Sequence, residues 1–145
     1  MEIPFDKAIS AILRQGNVFY FVDPSIPSTD PHNYVLLSKH PTSERKLVFV
    51  VGTSKVEKVR RYRGAQPHET LVVATPQEYP DFTCETVFDC NSPQEVSVAD
   101  LVRFVNREGR LKPRDHVGGE ILGRLLKGVL ASPLVEERVK KEISG

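Results

Sequence analysis

Hydrophobic residues recur at helical spacing near both ends of the chain and form short runs between polar segments in its middle. Within Phe5–Gln15, the residues Ile9, Ile12 and Leu13 fall on one side of a helix, which predicts a short amphipathic helix. Gly16 follows at the position where glycine commonly ends a helix. The pattern therefore predicts an N-terminal helix that stops at this glycine.

The middle of the chain contains β-branched and aromatic runs separated by segments rich in proline, asparagine, aspartate and serine. This pattern is typical of strands joined by turns. The most apolar run, Lys46–Thr53, is too short for a helix and predicts a strand buried on both faces. Pro24–Asn33 and Ser54–Glu69 are polar and predict loops. The other predicted strands are Asn17–Asp23, Tyr34–Ser38, Thr70–Ala74, Thr83–Cys90 and a short Glu95–Val98.

Helical spacing returns after the last predicted strand. Ser97, with Asp100 three residues later, predicts a helix N-terminus, and Gly109 predicts the end of that helix. Proline fits the first turn of a helix. Lys112–Pro113 therefore predicts the start of a second helix, and Ser132–Pro133 the start of a third.

Strands segregated from helices predict an α+β fold with an antiparallel sheet. The connections between the predicted strands are mostly too short for the helical crossovers of a parallel sheet. We expect residues 1–145 to form one domain with a small, strongly curved barrel at its centre. Its parts would be an N-terminal helix over 1–16, the barrel over 17–98 and helices over 99–145.

Composition narrows the class of protein. The 145 residues include 39% hydrophobic and 27% charged residues, as in ordinary soluble domains. The net charge of +1 excludes a uniformly basic nucleic-acid binder but leaves room for a local basic patch. No apolar run approaches the ~20 residues of a membrane span, and the N-terminus lacks the pattern of a signal peptide. These features predict a cytoplasmic protein without membrane contact.

Motifs for metals and cofactors are absent from the sequence, which contains neither a G-x-G-x-x-G segment nor a Walker loop. The four histidines do not pair at three- or four-residue spacing, and Cys84 and Cys90 match no zinc spacing. We interpret these cysteines as half-buried strand residues. Gly118, Gly119 and Gly123 lie inside a helical pattern and indicate close packing or a kink. We therefore expect no metal ion and no cofactor.

The densest charge lies between Lys55 and Gly64, where five basic residues and one acidic residue give a net +4. A basic segment containing an aromatic residue suits single-stranded nucleic acid, because cations meet phosphates and a ring stacks on a base. The alternative is a solvated loop that keeps the protein soluble. The residues predicted to bind substrate are Ser54, Lys55, Arg60, Arg61, Tyr62 and Arg63.

Two further polar residues lie at predicted strand ends. His32 comes just before the second predicted strand, and Thr53 ends the third, directly before the basic segment. In a small barrel these ends could meet on one rim, where a histidine and a hydroxyl beside cations could act on a phosphodiester. RNA supplies its own nucleophile, the 2′-hydroxyl. The alternative gives His32 and Thr53 purely structural roles in a turn and a strand.

The order of these elements resembles that of the MazF/PemK-like toxins of bacterial toxin–antitoxin systems. The resemblance spans residues 16–131 and implies an SH3-like barrel with flanking helices. It also implies a homodimeric endoribonuclease that needs no metal and is inhibited by a bound antitoxin protein. The matching segments are Gly16–Pro24, Asn33–Ser38, Leu47–Ser54, Val87–Asn91 and Gly109–Leu111.

The resemblance also implies roles for individual residues. The family places a serine or threonine at the end of the third strand, and Thr53 with Ser54 matches that position. It places an arginine that helps acid–base catalysis just before the second strand, where this chain has Pro31–Asn33. His32 could replace that arginine, since imidazole titrates near neutral pH. The implied catalytic residues are therefore His32 and Thr53, with RNA as substrate.

Three functions stay open at this point. The first is the ribonuclease toxin, and the second is a non-enzymatic SH3-like module that binds nucleic acid or a protein, because the family arginine is missing. The third is a small regulator whose basic loop contacts DNA. RNA cleavage without added metal would distinguish the first from the second, and a preference for duplex DNA would indicate the third.

Overall fold

In the described part of the chain seven strands form one antiparallel sheet that is accompanied by helices, so the predicted α+β class is confirmed. The structure is a computed structural model that describes residues 13–21, 31–41, 46–101, 103, 112–114 and 116–144. The strands are β1 (Val18–Phe21), β2 (His32–Leu36), β3 (Lys46–Thr53), β4 (Leu71–Ala74), β5 (Thr86–Asp89), β6 (Gln94–Ser97) and β7 (Lys112–Arg114). The helices are α1 (Val56–Tyr62), α2 (Gly119–Ala131) and α3 (Glu137–Ser144), with a 3₁₀ turn at His68–Thr70. Residues 98–101 and 103 are also helical.

The central strand of the sheet is β3. The strand order is β4-β5-β3-β2-β1-β7, and β6 also pairs with β3. On one side β3 pairs with β2; on the other its first half pairs with β6 and its last two residues pair with β5. Among the described residues no pairing joins β4 to β7, so these strands form an open sheet. All of the pairings are antiparallel, as the short connections predicted.

Both faces of the sheet are covered by apolar side chains. The larger cluster joins residues of β1 to β5 to α2 and α3, with Leu125 and Ile143 among its buried members. The smaller cluster, on the opposite face, contains Phe19, Tyr34 and Phe49. The Phe49 ring packs edge-on against the other two, with centroids 6.1 Å apart in each case. Residues 47–50 of β3 are fully buried, which confirms the strand predicted to lie between two apolar layers.

The predicted loop Ser54–Glu69 is wrong, because its first half forms α1 and its end forms the 3₁₀ turn. Glu, Lys and Arg are good helix formers, and Val56 and Val59 repeat at helical spacing. Glu57 lies in the first turn, and two arginines lie in the last. This order of charges complements the helix dipole.

Two predicted helix starts are also wrong. Lys112–Pro113 belongs to β7, which pairs with β1 at the edge of the sheet, where a proline costs no ladder hydrogen bond. The second helix begins instead at Gly119. Ser132 does not start the third helix, which begins at Glu137 after an intervening turn. The N-cap prediction for Ser97 is confirmed, since its hydroxyl accepts a hydrogen bond from the Asp100 N–H at 3.0 Å.

The cysteine and glycine interpretations need correction as well. Cys84 is exposed and Cys90 is buried. The fifth strand runs from Thr86 to Asp89, so neither cysteine belongs to it. The glycines Gly118, Gly119 and Gly123 have open space where a Cβ would point. Within α2 the closely packed glycine is Gly128, whose Cβ would lie 2.8 Å from the Glu69 carbonyl oxygen.

The predicted N-terminal helix lies mostly outside the described residues. Residues 13–15 are described and are not helical. Gly16 has φ +94°, the left-handed conformation that favours glycine, and the His116 ring lies where a side chain at Gly16 would project. The helix predicted from Ser97 to Gly109 is likewise described only in part.

Candidate nucleic-acid interface

The strand register brings the two predicted catalytic residues together. Asn33 of β2 is paired with Gly52 of β3, so the next position along the ladder places His32 beside Thr53. Directly opposite residues of antiparallel strands project from the same face, with Cβ atoms about 4.5–5.5 Å apart. Both residues are partly buried. The predicted position of His32 before the strand is corrected, because His32 is the first residue of β2.

The residues paired with His32 and Thr53 on the neighbouring strands extend this row of paired positions across the sheet. Phe21 of β1 pairs with His32, while Val87 of β5 pairs with Thr53 and with Val73 of β4. Val87 is fully buried. The partly exposed His32 and Thr53 therefore lie in a row with at least one buried apolar neighbour, at the end of β3 where α1 begins.

No described residue accepts a hydrogen bond from the Thr53 hydroxyl. Its Oγ1 accepts the backbone N–H of Lys55 at 3.3 Å. A threonine hydroxyl can accept such a bond and still donate its own proton. Ser54 and Lys55 are exposed beside it. The predicted substrate-binding residues at the end of β3 thus adjoin the predicted catalytic pair.

A buried polar atom lies one position along β2. Asn33 Oδ1 has no hydrogen-bond partner among the described residues. Asn33 lies opposite Gly52, on the face that His32 and Thr53 do not share, because side chains alternate along a strand. A buried acceptor without a partner is uncommon in folded proteins, and this one lies at the same end of the sheet as the predicted catalytic residues.

The basic segment forms a helix with one buried side and one solvated side. Val56 is buried and α1 packs against β5. Lys58 and Arg61 are exposed, and no described residue forms an ion pair or hydrogen bond with either side chain. Together with Tyr62 they line an open surface depression. Two unpaired cations and an exposed ring therefore share this surface.

The three predicted arginines have different surroundings. Arg60 forms an exposed ion pair with Glu57 at 2.8 Å. Arg63 is only 15% exposed and donates from Nε to Asp89 Oδ2 at 2.9 Å. Arg61 has no such partner within the described part of the chain. The sequence therefore grouped residues that the fold separates, and only Arg61 presents an unpaired guanidinium.

The partners of Arg63 were not identified from the sequence. Asp89 lies 26 positions away at the end of β5, and Ser92 accepts a second hydrogen bond from Arg63. Asn91 donates to Asp89 Oδ1 at 3.0 Å and accepts from the Ser132 hydroxyl at 2.6 Å. One local signal was available, because the polar run that follows the apolar part of β5 is typical of a hydrogen-bonded turn.

Cys90, which follows Asp89, is chemically inert in the folded protein. Burial, together with the nearby Asp89 charge, raises the pKa of the Cys90 thiol to about 12. The thiolate is the nucleophilic form of cysteine. The thiol therefore stays protonated near neutral pH and takes no part in nucleophilic chemistry.

The described residues include no candidate metal site and no candidate membrane-spanning helix. No three histidine, cysteine, aspartate or glutamate side chains there lie close enough to hold a metal ion. No helix in the same part of the chain is both long and apolar enough to cross a bilayer.

Comparison with models of known protein families gives no match, and neither does a search among curated proteins. The MazF/PemK-like resemblance therefore stays a prediction from the sequence. The geometry of the sheet end and of α1 carries the functional argument.

Proposed function

We propose that this protein is an endoribonuclease that cleaves RNA through its 2′-hydroxyl without a metal ion. The observation that carries the proposal is the register of β2 and β3, which sets His32 beside Thr53 where the chain enters a basic helix. A general base, a hydroxyl donor and cations within reach of one another are what phosphodiester cleavage by an internal nucleophile needs.

In the proposed reaction His32 takes the proton of a ribose 2′-hydroxyl. The 2′ oxygen bonds to the adjacent phosphorus as the bond from phosphorus to the 5′ oxygen breaks, and the departing 5′ oxygen takes up a proton from water. The products are a 2′,3′-cyclic phosphate and a 5′-hydroxyl. Thr53 donates its free hydroxyl hydrogen to a phosphate oxygen, and Lys55 or Arg61 offsets the added negative charge.

The wider proposal follows the MazF/PemK-like resemblance. The sheet would be an SH3-like barrel. In support of this, β3 pairs with β6 over its first half and with β5 at its last two residues, so that the central strand joins two different partners on one side. The protein would act as a homodimer in the cytoplasm, and a cognate antitoxin protein would inhibit it. Size-exclusion chromatography with light scattering, alone and with the product of an adjacent reading frame, tests these partners.

The first prediction tests His32 directly. His32→Ala should slow RNA cleavage in the presence of EDTA by ~10²–10⁴-fold, because a positioned acid or base contributes about that factor. Cleavage of a labelled RNA is followed by gel electrophoresis. The matched control is His68→Ala, since His68 is an exposed histidine on the 3₁₀ turn. His32→Arg asks whether the residue usual in the family restores the rate.

Two results would remove the enzymatic proposal. The purified parent protein could leave RNA intact, or His32→Ala could cut as fast as the parent. A 2′-deoxy substitution at the cleaved position should block the reaction, and cleavage that survives it would contradict the role of the 2′-hydroxyl.

A second candidate function is single-stranded nucleic-acid binding without cleavage. The observation that favours it is the exposed ring and exposed cations on α1, which could hold a nucleic acid without any part played by His32. Binding of an oligonucleotide with unchanged RNA length on the gel would identify this function. A preference for duplex over single strands would instead indicate a DNA-contacting regulator.

A further inference from the structure

Tyr62 and Arg63 form a stacked pair at the end of α1. Tyr62 is 76% exposed. The guanidinium carbon of Arg63 lies 4.6 Å from the centroid of its ring. A guanidinium at this distance is attracted to the π-system and covers one face of the ring. The high exposure of Tyr62 leaves the other face in contact with solvent.

The arginine of this pair is fixed by two side chains. Its Nε donates to Asp89 Oδ2 at 2.9 Å, and its Nη2 donates to the Ser92 hydroxyl. A guanidinium is rigid and planar, so two directed hydrogen bonds set the orientation of the plane. The Tyr62 ring that stacks on it is held in turn.

The carboxylate that holds Arg63 is itself fixed from the protein interior. Asp89 Oδ1 accepts the backbone N–H of Asn91 at 3.1 Å and its side-chain amide at 3.0 Å. Asn91 is buried, and its other contacts are with Thr70 at 2.9 Å and Ser132 at 2.6 Å. Both carboxylate oxygens are therefore occupied, and the orientation of an exposed ring is set by buried groups.

We propose that Tyr62 is a stacking subsite for one unpaired nucleobase and that Arg63 is the positioning residue that holds its ring. The proposal rests on the proposed nucleic-acid function. In it Arg63 positions the Tyr62 ring and does not itself bind a phosphate. A ring already ordered by a fixed neighbour loses less conformational freedom when a ligand stacks on it. Because the Arg63 guanidinium is already paired with Asp89, its charge is not available to a phosphate.

The neighbours of Tyr62 define the rest of the ligand. Lys58 lies four positions earlier on α1, on the same side of the helix, and Arg61 lies three positions after Lys58 and lines the same depression. Both are exposed cations suited to phosphates. A base on the ring with phosphates on these cations describes a single-stranded nucleotide segment, because a base inside a duplex has no free face.

The test uses the absence of tryptophan from the sequence. Tyr62→Trp introduces a single tryptophan at the ring position, whose emission is separable from that of the remaining tyrosines by selective excitation. A 2′-O-methyl oligouridylate, which has no free 2′-hydroxyl and so is not cleaved, should quench its fluorescence on binding. An abasic oligomer of the same length should bind through phosphates but leave the emission unchanged. Tyr62→Ala should weaken oligouridylate binding by about 5- to 100-fold, the range for loss of one base stack.

The positioning role of Arg63 needs its own readout. In the Tyr62→Trp background, Arg63→Lys keeps the charge but loses the planar two-bond clamp. We expect lower fluorescence anisotropy of the free protein, because the ring is released, and weaker quenching by oligouridylate. Arg124→Lys is the matched control, because Arg124 on α2 also makes two directed hydrogen bonds, to Glu78 and to the Val73 carbonyl, and it should change neither. Thermal unfolding of each variant shows whether the fold is retained.

The outcomes separate the subsite from the function it rests on. Binding of oligouridylate without quenching, or equal quenching by the abasic oligomer, overturns the subsite and leaves nucleic-acid binding standing. No binding of either oligomer to the parent protein overturns both. An acidic peptide that quenches the introduced tryptophan as strongly as oligouridylate assigns the ring to a protein partner and overturns the nucleobase. Unchanged anisotropy in the folded Arg63→Lys variant overturns the positioning role.

Discussion

Neighbours, more than residue type, decide what each charged side chain of α1 can do. Arg61 has no ion-pair partner among the described residues and keeps its charge available, whereas Arg63 is held by Asp89 at 2.9 Å. The local sequence could identify the charge excess but not this difference, because Asp89 lies 26 positions away. The reverse holds for His32 and Thr53, whose strand-end positions were visible in the sequence and whose adjacency follows from the register.

The two cysteines provide a prediction at the residue scale. Cys84 is exposed and Cys90 is buried, so a disulfide-exchange reagent at neutral pH should modify Cys84 in the folded protein and Cys90 only after unfolding.

Above neutral pH the protonation of Cys90 also affects the stability of the fold. Its folded pKa of about 12 exceeds the ordinary value of 9.0, so the folded protein keeps a proton that the unfolded chain releases.

The sign of this effect is a loss of stability with rising pH. The contribution is fully present below pH 9.0 and is lost as the pH rises towards 12, at up to ~1.4 kcal/mol per pH unit. Urea unfolding across this range measures it. Cys90→Ala should make the decline shallower and Cys84→Ala should not. An equally steep decline in the Cys90→Ala variant would contradict the assignment.

At the scale of elements, the strands and helices predicted correctly were those with the clearest hydrophobic pattern. Lys46–Thr53 was predicted with its observed bounds, because a continuous apolar run of that length has few alternatives. The helix α1 was missed because two valines were its only apolar signal among charged residues. Pro113 was misleading because proline fits both a helix start and an edge strand, and only the pairing with β1 decides between them.

Replacing either of two glycines of α2 with alanine is expected to change the stability of the fold, in opposite directions for the two positions. A Cβ on Gly128 would lie 2.8 Å from the Glu69 carbonyl oxygen and 2.9 Å from Cys90 Sγ, whereas a Cβ on Gly123 meets nothing within 4 Å. Gly128→Ala should therefore destabilise the fold by about 1–3 kcal/mol through overpacking. Gly123→Ala should stabilise it by about 0.5–1 kcal/mol, because alanine is the better helix former.

The free energy of unfolding in urea measures both glycine variants under one condition. Each variant is the control for the other, since both replace glycine with alanine within the same helix. Stabilisation by Gly128→Ala would show that α2 does not pack on the 3₁₀ turn as closely as described.

At the scale of the whole molecule, the hydrogen bonds around Asn91 connect the segments that follow α1 and α2 to the end of β5. The chain of hydrogen bonds runs from Arg63 after α1, through Asp89 at the end of β5, to Asn91 and then Ser132 after α2. Such buried polar groups are stable only when their partners are all in place. The position of the basic helix therefore depends on the packing of the C-terminal helices, which no local sequence pattern could indicate.

Charge placement gives a prediction for the whole molecule, because the net charge of +1 is too small to attract RNA by itself. Replacing Lys55, Lys58 and Arg61 together with alanine should weaken RNA binding and flatten its salt dependence. Each lost phosphate contact lowers the slope of log K against log salt by about 0.7 for single strands, so the triple variant should lose about 2 units.

The matched control replaces the exposed lysines Lys46, Lys127 and Lys141, which lie away from α1, and therefore removes the same total charge. Lys46 lies at the start of β3, the opposite end from Thr53. Binding is measured by fluorescence polarisation of a labelled 2′-O-methyl RNA over a series of salt concentrations. A local interface predicts a flattened slope for the first triple variant and a nearly unchanged slope for the second. Equal changes in both would mean that only net charge matters, and RNA would then have no defined contact surface on α1.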